Sequence, residues 1–133
     1  MSQDNVALVA KGWEHFHATG RPLDAILAPD FVWDMSTYRG WPEQPLYHGA
    51  DGMRRFLDDW SGAFDDWTIG VEALHDAGDK VVSVCRQTAR AKLTGVPVDR
   101  RFAMVFTVRD WLEKPLEMYT DPAEAFAASG VDA

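Results

Sequence analysis

The chain has 133 residues, of which 47% are apolar and 26% are charged, and its formal net charge is -8. This composition is typical of one globular domain and excludes a disordered chain. The acidic charge argues against binding to the phosphate backbone of a nucleic acid, because that task needs clustered Lys and Arg. We therefore expect a single domain over residues 1–133 and no nucleic-acid partner.

The chain contains one cysteine, Cys85, so an intrachain disulfide is impossible. Because it lies in an apolar segment, we predict a small packing residue. The first five residues carry no basic side chain, and no apolar run reaches membrane-spanning length. We expect a soluble, cytoplasmic protein without a membrane partner.

Two helices and a strand are predicted in the first third of the chain. Apolar residues recur at helical spacing through residues 4–19, which predicts the first helix. Residues 23–28, with a proline on each side, are predicted to form a short second helix. Residues 30–36 alternate between apolar and polar side chains, so we expect a strand with Met35 on one side and Asp34 on the other.

A long loop and a third helix follow. Residues 37–48 contain two prolines, one glycine and three aromatic residues, a composition typical of loops. Tyr38, Trp41 and Tyr47 could form a lid over an apolar ligand, although Tyr47 could equally pack under the next helix. Residues 49–64 place their large apolar side chains on one face, which predicts the third helix.

The second half of the chain is predicted to be mainly strands. Residues 67–75 form one strand, and residues 80–120 are predicted to form three more, with reversals at residues 94–95 and 110–115. The first two of these three strands can each run about ten residues, longer than the usual five or six, so the sheet should be strongly bent. Residues 121–129 begin with a capping Asp and a Pro, which predicts a last helix.

This order predicts an α+β fold: a curved, mainly antiparallel sheet with three N-terminal helices on its concave face and a short C-terminal helix. The sequence also resembles the SnoaL-like branch of the nuclear transport factor 2-like superfamily. The resemblance is carried by Ala28–Asp34, Tyr47–Gly49, Asp76–Val82, Val105–Asp110 and Glu117–Asp121. It implies a cone-shaped fold, a deep pocket between the first and third helices and the sheet, and a homodimer formed through the outer face of the sheet.

Characterised relatives imply where catalytic residues should lie. Similarity to ketosteroid isomerase places its base aspartate at Met35, its proton-sharing aspartate at Met104 and its tyrosine at Trp13. Similarity to limonene epoxide hydrolase places its acid aspartate at Met118. Since methionine cannot carry a proton, we do not expect the known isomerase or epoxide hydrolase chemistry.

A shift of one residue in strand register would change this mapping, because it turns each side chain to the other face. Asp34 and Glu117 would then replace the neighbouring methionines in the pocket. The arginine of the epoxide hydrolases is retained as Arg86, while their aspartate two residues further on is replaced by Thr88.

Three side chains are candidates for catalysis. Arg86 could anchor a carboxylate or enolate electrostatically, or could form an ion pair with Asp34 or Glu117. His48, at the end of the aromatic loop, or Asp34 could carry a proton, although both could also have structural roles. His15 and His17 lie two residues apart, on different faces of a helix, so we expect no metal site, and no cofactor.

We therefore expect a protein that binds a small, apolar organic molecule. If it is an enzyme, we expect cofactor-free acid–base chemistry, such as isomerisation, cyclisation or dehydration. The alternative is a non-catalytic ligand-binding or dimerisation module. The candidate substrate-binding residues are Trp13, Trp33, Met35, Tyr38, Phe56, Trp60, Thr88, Met104 and Met118.

Overall fold

A computed structural model describes residues 2–38 and 45–130 of the chain. Trp41, part of the predicted lid, lies outside the described residues. The elements in chain order are α1 (Ser2–Thr19), a 3₁₀ turn (Asp24–Ile26), β1 (Val32–Asp34), β2 (Leu46–His48), α2 (Gly49–Ser61), β3 (Phe64–Ala77), β4 (Lys80–Ala91), β5 (Pro97–Arg109), β6 (Leu112–Tyr119) and α3 (Pro122–Ser129).

The six strands form one sheet in the order β2-β1-β6-β5-β4-β3. All neighbours are antiparallel except β1 and β6, which are parallel. The α+β prediction is therefore confirmed. The predicted second helix is only a 3₁₀ turn, and the three-residue strand β2 was hidden in the predicted loop because it is too short to show alternation. No helix in the described part of the chain is long and apolar enough to span a membrane.

The two faces of the sheet pack against different helices. We call the face that carries α1 and α2 the inner face, and the face that carries α3 the outer face. The main core lies on the inner face, and its fully buried aromatic side chains include Trp33 and Phe56. Burying one large apolar side chain contributes about 1.5–3 kcal/mol, so this core provides most of the driving force for folding. A smaller core forms where Phe126 of α3 packs on the outer face.

The last helix begins and ends as the sequence predicts. The side chain of Asp121 caps α3 by accepting a hydrogen bond from the N–H of Ala123 at 3.0 Å. Gly130 ends the helix in the left-handed conformation, with φ of 72°, which glycine adopts without strain. These local signals fix the helix that covers the outer face.

Irregular positions bend the long strands. The pairing of β3 with β4 shifts register between Asp65 and Thr68 and again between Val71 and Ala73. Such bulges bend a strand and increase its twist, so β3 curves around the helices on the inner face.

A third bulge lies between β5 and β6. Phe106 pairs with Leu116 and Val108 pairs with Glu113, so a step of two residues on β5 faces a step of three on β6. The extra residue lies beside Pro115, which cannot donate a ladder hydrogen bond and is therefore tolerated at a bulge.

The reversal between β5 and β6 is tighter than predicted. Asp110 and Trp111 have φ of 53° and 64°, the pattern of a two-residue turn in which both central residues have positive φ. The prediction that residues 110–115 form the reversal is therefore wrong at its end. Residues 112–115 belong to β6, which brings an acidic side chain into the sheet.

The predicted register of the methionines is confirmed. Met104 and Met118 pair across β5 and β6, and both are buried in the inner core with Met35. Asp34 and Glu117 lie opposite each other between β1 and β6 and are only partly buried. The one-residue shift that would exchange the methionines for these carboxylates does not occur.

Candidate functional site

A cavity lies between α1, the 3₁₀ turn, α2 and the inner face of the sheet. The cavity and its open mouth together contain about 530 Å³ of space not occupied by protein atoms, part of which is open solvent. Apolar side chains form most of the wall. The residues that line the wall include Gly12, Trp13, Ile26, Trp33, Trp67, Met104 and Glu113.

Three tryptophans of the wall already use their indole N–H groups within the protein. The bonds run from Trp13 to Ser83 Oγ (3.5 Å), from Trp33 to Met35 Sδ (3.2 Å) and from Trp67 to Gln87 Oε1 (2.9 Å). These bonds fix the rings, and they leave the indoles to act as apolar wall. A ligand's polar group must therefore find its partner elsewhere in the cavity.

Glu113 is the one lining residue with a carboxyl group. The residue is only 3% exposed, and no described residue forms a hydrogen bond or an ion pair with its side chain. Burial disfavours the charged form, and this raises the pKa of the Glu113 carboxyl from the ordinary 4.5 to about 8. At neutral pH the group is mainly a neutral acid, and it can gain or lose a proton within the physiological range.

The backbone of Glu113 is held by two neighbours. Its carbonyl accepts a hydrogen bond from the N–H of Ala28 at 2.8 Å, and Leu27 forms a parallel bridge with it. On the other side it pairs with Val108 of β5. The segment after the 3₁₀ turn thus fixes the start of β6, and the bulge that follows turns the Glu113 side chain inward.

Simple alternation would have directed Glu113 outward. Leu116 and Met118 face inward, so counting back by twos places residue 113 on the opposite face. The extra residue at the bulge instead turns residue 113 to the inner face. Pro115 was the available sign, since a proline within a strand often marks a bulge. Glu113 was not predicted as a site residue because its segment was assigned to a turn.

Some of the predicted pocket residues line the cavity. Trp13, Trp33 and Met104 do so. Met35, Tyr38, Phe56, Trp60 and Met118 are buried in the core rather than at the cavity surface. They support the wall from behind: the Phe56 ring stacks on Trp33 at 4.1 Å between ring centroids.

Arg86 lies on the outer face and not in the predicted pocket. Its guanidinium donates two hydrogen bonds to the carboxylate of Asp99, at 2.8 and 2.6 Å, instead of pairing with Asp34 or Glu117. The reason is strand parity, because the buried neighbours Cys85 and Gln87 take the inner face. Thr88 shares the outer location, and its hydroxyl lies 2.7 Å from that of Thr68.

The two predicted proton carriers also lie away from the cavity. His48 is exposed at the start of α2, where it lines a separate surface pocket together with Asp51 and Arg55. Asp34 accepts hydrogen bonds from the N–H and hydroxyl of Ser36, at 2.8 and 2.6 Å, and so stabilises the turn after β1. The structure does not bring Arg86, His48 and Asp34 together. Among the described residues, no cluster of three His, Cys, Asp or Glu side chains is suited to a metal ion.

The family model described as "SnoaL-like domain" matches residues 7–112. The chain belongs to this family. The matched segment ends one residue before Glu113. A comparison with curated proteins gives no match to this SnoaL-like chain.

Solved structures share the fold along almost the whole chain. A nuclear transport factor 2-like protein of Burkholderia thailandensis is 27% identical, with a TM-score of 0.74 and coverage of 96% of this chain and 97% of that chain. A SnoaL-like polyketide cyclase, so named from Jannaschia sp. CCS1, is 19% identical, with a TM-score of 0.70 and coverage of 99% and 95%. A Catenulispora acidiphila protein with a ketosteroid isomerase-like fold, in complex with trimethylamine, is 14% identical, with a TM-score of 0.68 and coverage of 93% of both chains.

Proposed function

We propose that this SnoaL-like protein binds a small, neutral, largely apolar organic molecule in the cavity and that Glu113 exchanges a proton with it. The observation that carries the proposal is the Glu113 carboxyl, which is buried in the cavity wall with no hydrogen-bond partner among the described residues. No cofactor is needed for this chemistry.

An unpartnered carboxyl in an apolar wall is costly for folding. A buried polar group without a hydrogen bond loses its hydration and receives nothing in return, so an apolar side chain of similar size would stabilise the fold better. This cost supports a role in function for Glu113. A bound ligand that offers a hydrogen-bonding atom to the carboxyl would remove the penalty.

The pKa of about 8 suits proton transfer near neutral pH. A general acid or base works best when its pKa is close to the working pH, because both protonation states are then accessible. A single carboxyl can take a proton at one oxygen and return it from the other. This supports isomerisation, cyclisation or dehydration of a carbonyl compound, with Glu113 in the role that the sequence analysis gave to His48 or Asp34.

The remaining alternative is a passive ligand-binding module that uses the same cavity. In that case the Glu113 carboxyl only donates a hydrogen bond to the ligand, and no proton is transferred. The two functions differ in whether a bound carbonyl compound exchanges hydrogen with water.

The test uses 2-acetylnaphthalene in deuterated buffer, with exchange at its methyl group followed by NMR. We expect the protein to accelerate the exchange and Glu113→Gln to reduce the acceleration about a hundredfold or more, the usual effect of a positioned acid or base. Glu72→Gln on the outer face is the matched control and should exchange as the unaltered protein does. Binding without accelerated exchange would contradict proton transfer and support the passive module. Absence of binding would contradict both.

We also propose a homodimer through the outer face of the sheet, as the family resemblance implies. The outer face exposes charged pairs, including Arg86 with Asp99 and Arg101 with Glu72, that are suited to a polar interface. Sedimentation velocity should give twice the mass of one chain. A monomer at concentrations of tens of micromolar would contradict this proposal.

A further inference from the structure

Gly12 occupies an unusual position in the middle of α1. Glycine destabilises a helix interior relative to alanine, because it loses more backbone freedom on folding. Its φ is not positive, so no left-handed conformation requires it. Another constraint must explain why this position of the cavity wall has no side chain.

Close packing explains a different helical glycine but not this one. A Cβ at Gly52 of α2 would lie 2.7 Å from the backbone carbon of Tyr47, so a larger residue would force the backbone to move. A Cβ at Gly12 would meet only the Cδ1 end of Ile26 at 3.0 Å and Oε2 of Glu113 at 3.7 Å. The 3.0 Å contact is tighter than ordinary van der Waals contact, but Cδ1 is the free end of the Ile26 side chain and has to shift by only a few tenths of an ångström, so the backbone can stay in place with alanine at position 12.

The methyl group of an alanine at position 12 would occupy the space next to a carboxyl oxygen of Glu113. At 3.7 Å its methyl group would be in ordinary van der Waals contact with Oε2 and would cover that oxygen on the side of α1. Gly12 and Glu113 are both part of the cavity wall. The missing side chain therefore leaves a narrow notch beside the one carboxyl that a ligand can reach, and Ile26 Cδ1 forms the near edge of this notch.

We propose that Gly12 and Glu113 Oε2 form a subsite for the slim, hydrogen-bond-accepting end of the ligand, a carbonyl without branching beside it, and that Gly12 sets the width limit. This inference rests on the proposed function and adds a specificity-determining residue to it. The indole donors of the wall are already used within the protein, so the carboxyl is the group that a carbonyl oxygen would meet. The lining residues include no Lys, Arg or His, so the cavity offers no partner for an anionic head group.

Three matched probes test the subsite by isothermal titration calorimetry. They are 2-acetylnaphthalene, its tert-butyl ketone analogue and 2-isopropenylnaphthalene, in which a CH₂ group replaces the carbonyl oxygen. The unaltered protein should bind the methyl ketone at least about tenfold more tightly than either analogue, since a methylene of excess bulk or a lost hydrogen bond has effects of this size. Equal affinity for the methyl and tert-butyl ketones would overturn the width limit. Equal affinity for the ketone and the alkene would overturn the carbonyl subsite.

Gly12→Ala then tests the glycine directly. It should weaken binding of the methyl ketone about tenfold, because the added methyl fills the notch, while its melting temperature stays the same or rises. Gly70→Ala on β3 is the matched control, since a Cβ there meets nothing within 4 Å and Gly70 lies outside the cavity lining. The inference fails if Gly12→Ala binds like the unaltered protein, or if both substitutions weaken binding equally. If the unaltered protein binds none of the three probes, the proposed function fails as well.

Discussion

Glutamate side chains have opposite surroundings on the two faces of the sheet. Glu72 on the outer face accepts hydrogen bonds from Arg101 at 2.6 and 3.2 Å, and this pairing lowers the pKa of its carboxyl. Glu113 on the inner face has no such partner among the described residues, and burial raises its pKa to about 8. The ion pair with Arg101 gives Glu72 a structural role. The buried Glu113 carboxyl has no such pair, which points to a role in ligand binding.

The outer face satisfies its charges locally. Arg86 and Arg101 lie opposite each other in neighbouring strands, and their like charges are offset because each binds its own carboxylate, Asp99 or Glu72. Hydrogen bonds from Arg86 lower the pKa of Asp99. These pairs are exposed to solvent, so water and salt screen them. Their arrangement needs no ligand to complete it.

The largest expected effect comes from the pH dependence of stability. Below pH 4.5 Glu113 is protonated in both the folded and the unfolded chain. Between pH 4.5 and about 8 the unfolded chain ionises while the folded one does not, so stability falls, by up to about 5 kcal/mol once the pH exceeds the folded pKa. Glu113→Gln should remove this loss. Urea unfolding at about pH 4 and about pH 9 measures it.

The control for this experiment has the opposite sign. Because Arg101 lowers the pKa of Glu72, that carboxylate stabilises the fold above its ordinary pKa and ceases to do so as the pH falls through its lowered value. Glu72→Gln should therefore cost stability at high pH rather than restore it. Identical pH profiles for the two variants would contradict the distinction between the two faces.

The next largest effect is expected at Gln87, a buried residue of the inner face whose side-chain oxygen has hydrogen-bond partners. Gln87 Oε1 accepts hydrogen bonds from the indoles of Trp60 at 2.6 Å and Trp67 at 2.9 Å. Gln87→Met should destabilise the protein by about 2–4 kcal/mol at all pH values, because two indole donors lose their acceptor. Chemical unfolding is the measurement, with the exposed Thr88→Val as control. A change of the same size in both variants would show that the buried bonds are not the cause.

A smaller effect is expected at the helix that covers the outer face. Asp121→Ala removes the side-chain cap of α3 and should cost about 1 kcal/mol. Since α3 packs on the outer face and none of its residues lines the cavity, ligand affinity should not change. Thermal unfolding and calorimetric binding of 2-acetylnaphthalene check the two parts. Loss of binding in Asp121→Ala would mean that the two faces are coupled.

The smallest effect is expected at Arg86. Arg86→Met breaks an ion pair with Asp99 that is exposed in the single chain, so the stability of the single chain should change little, and less at high salt than at low salt. Hydrogen exchange into 2-acetylnaphthalene should be unaffected. A large loss of exchange in Arg86→Met, with the fold intact, would restore the catalytic role that the sequence analysis considered.

Much of the fold could be predicted from the sequence because its local patterns agree with each other. Alternation around Met35, and the family resemblance for Met104 and Met118, indicated the inner face on which all three lie. The capping Asp121 and the terminal Gly130 gave the correct limits of the last helix.

The site was harder to predict because two strands carry misleading patterns. The run from Val81 to Cys85 is apolar at nearly every position, so alternation could not show which face Arg86 takes. In β6, one additional residue at a bulge reverses the side on which Glu113 lies. Bulges depend on pairing between distant strands, and a local pattern does not contain that information.

The most direct test of the account is a ¹³C NMR titration of the glutamate carboxyl carbons in the intact protein. Glu113 and Glu72 then report in the same spectrum, under the same conditions. The account predicts that Glu113 titrates with a pKa of about 8, while the pKa of Glu72 lies below the ordinary 4.5. A pKa of 4.5 or lower for Glu113 would show that the carboxyl is hydrated or paired, and it would contradict the central claim.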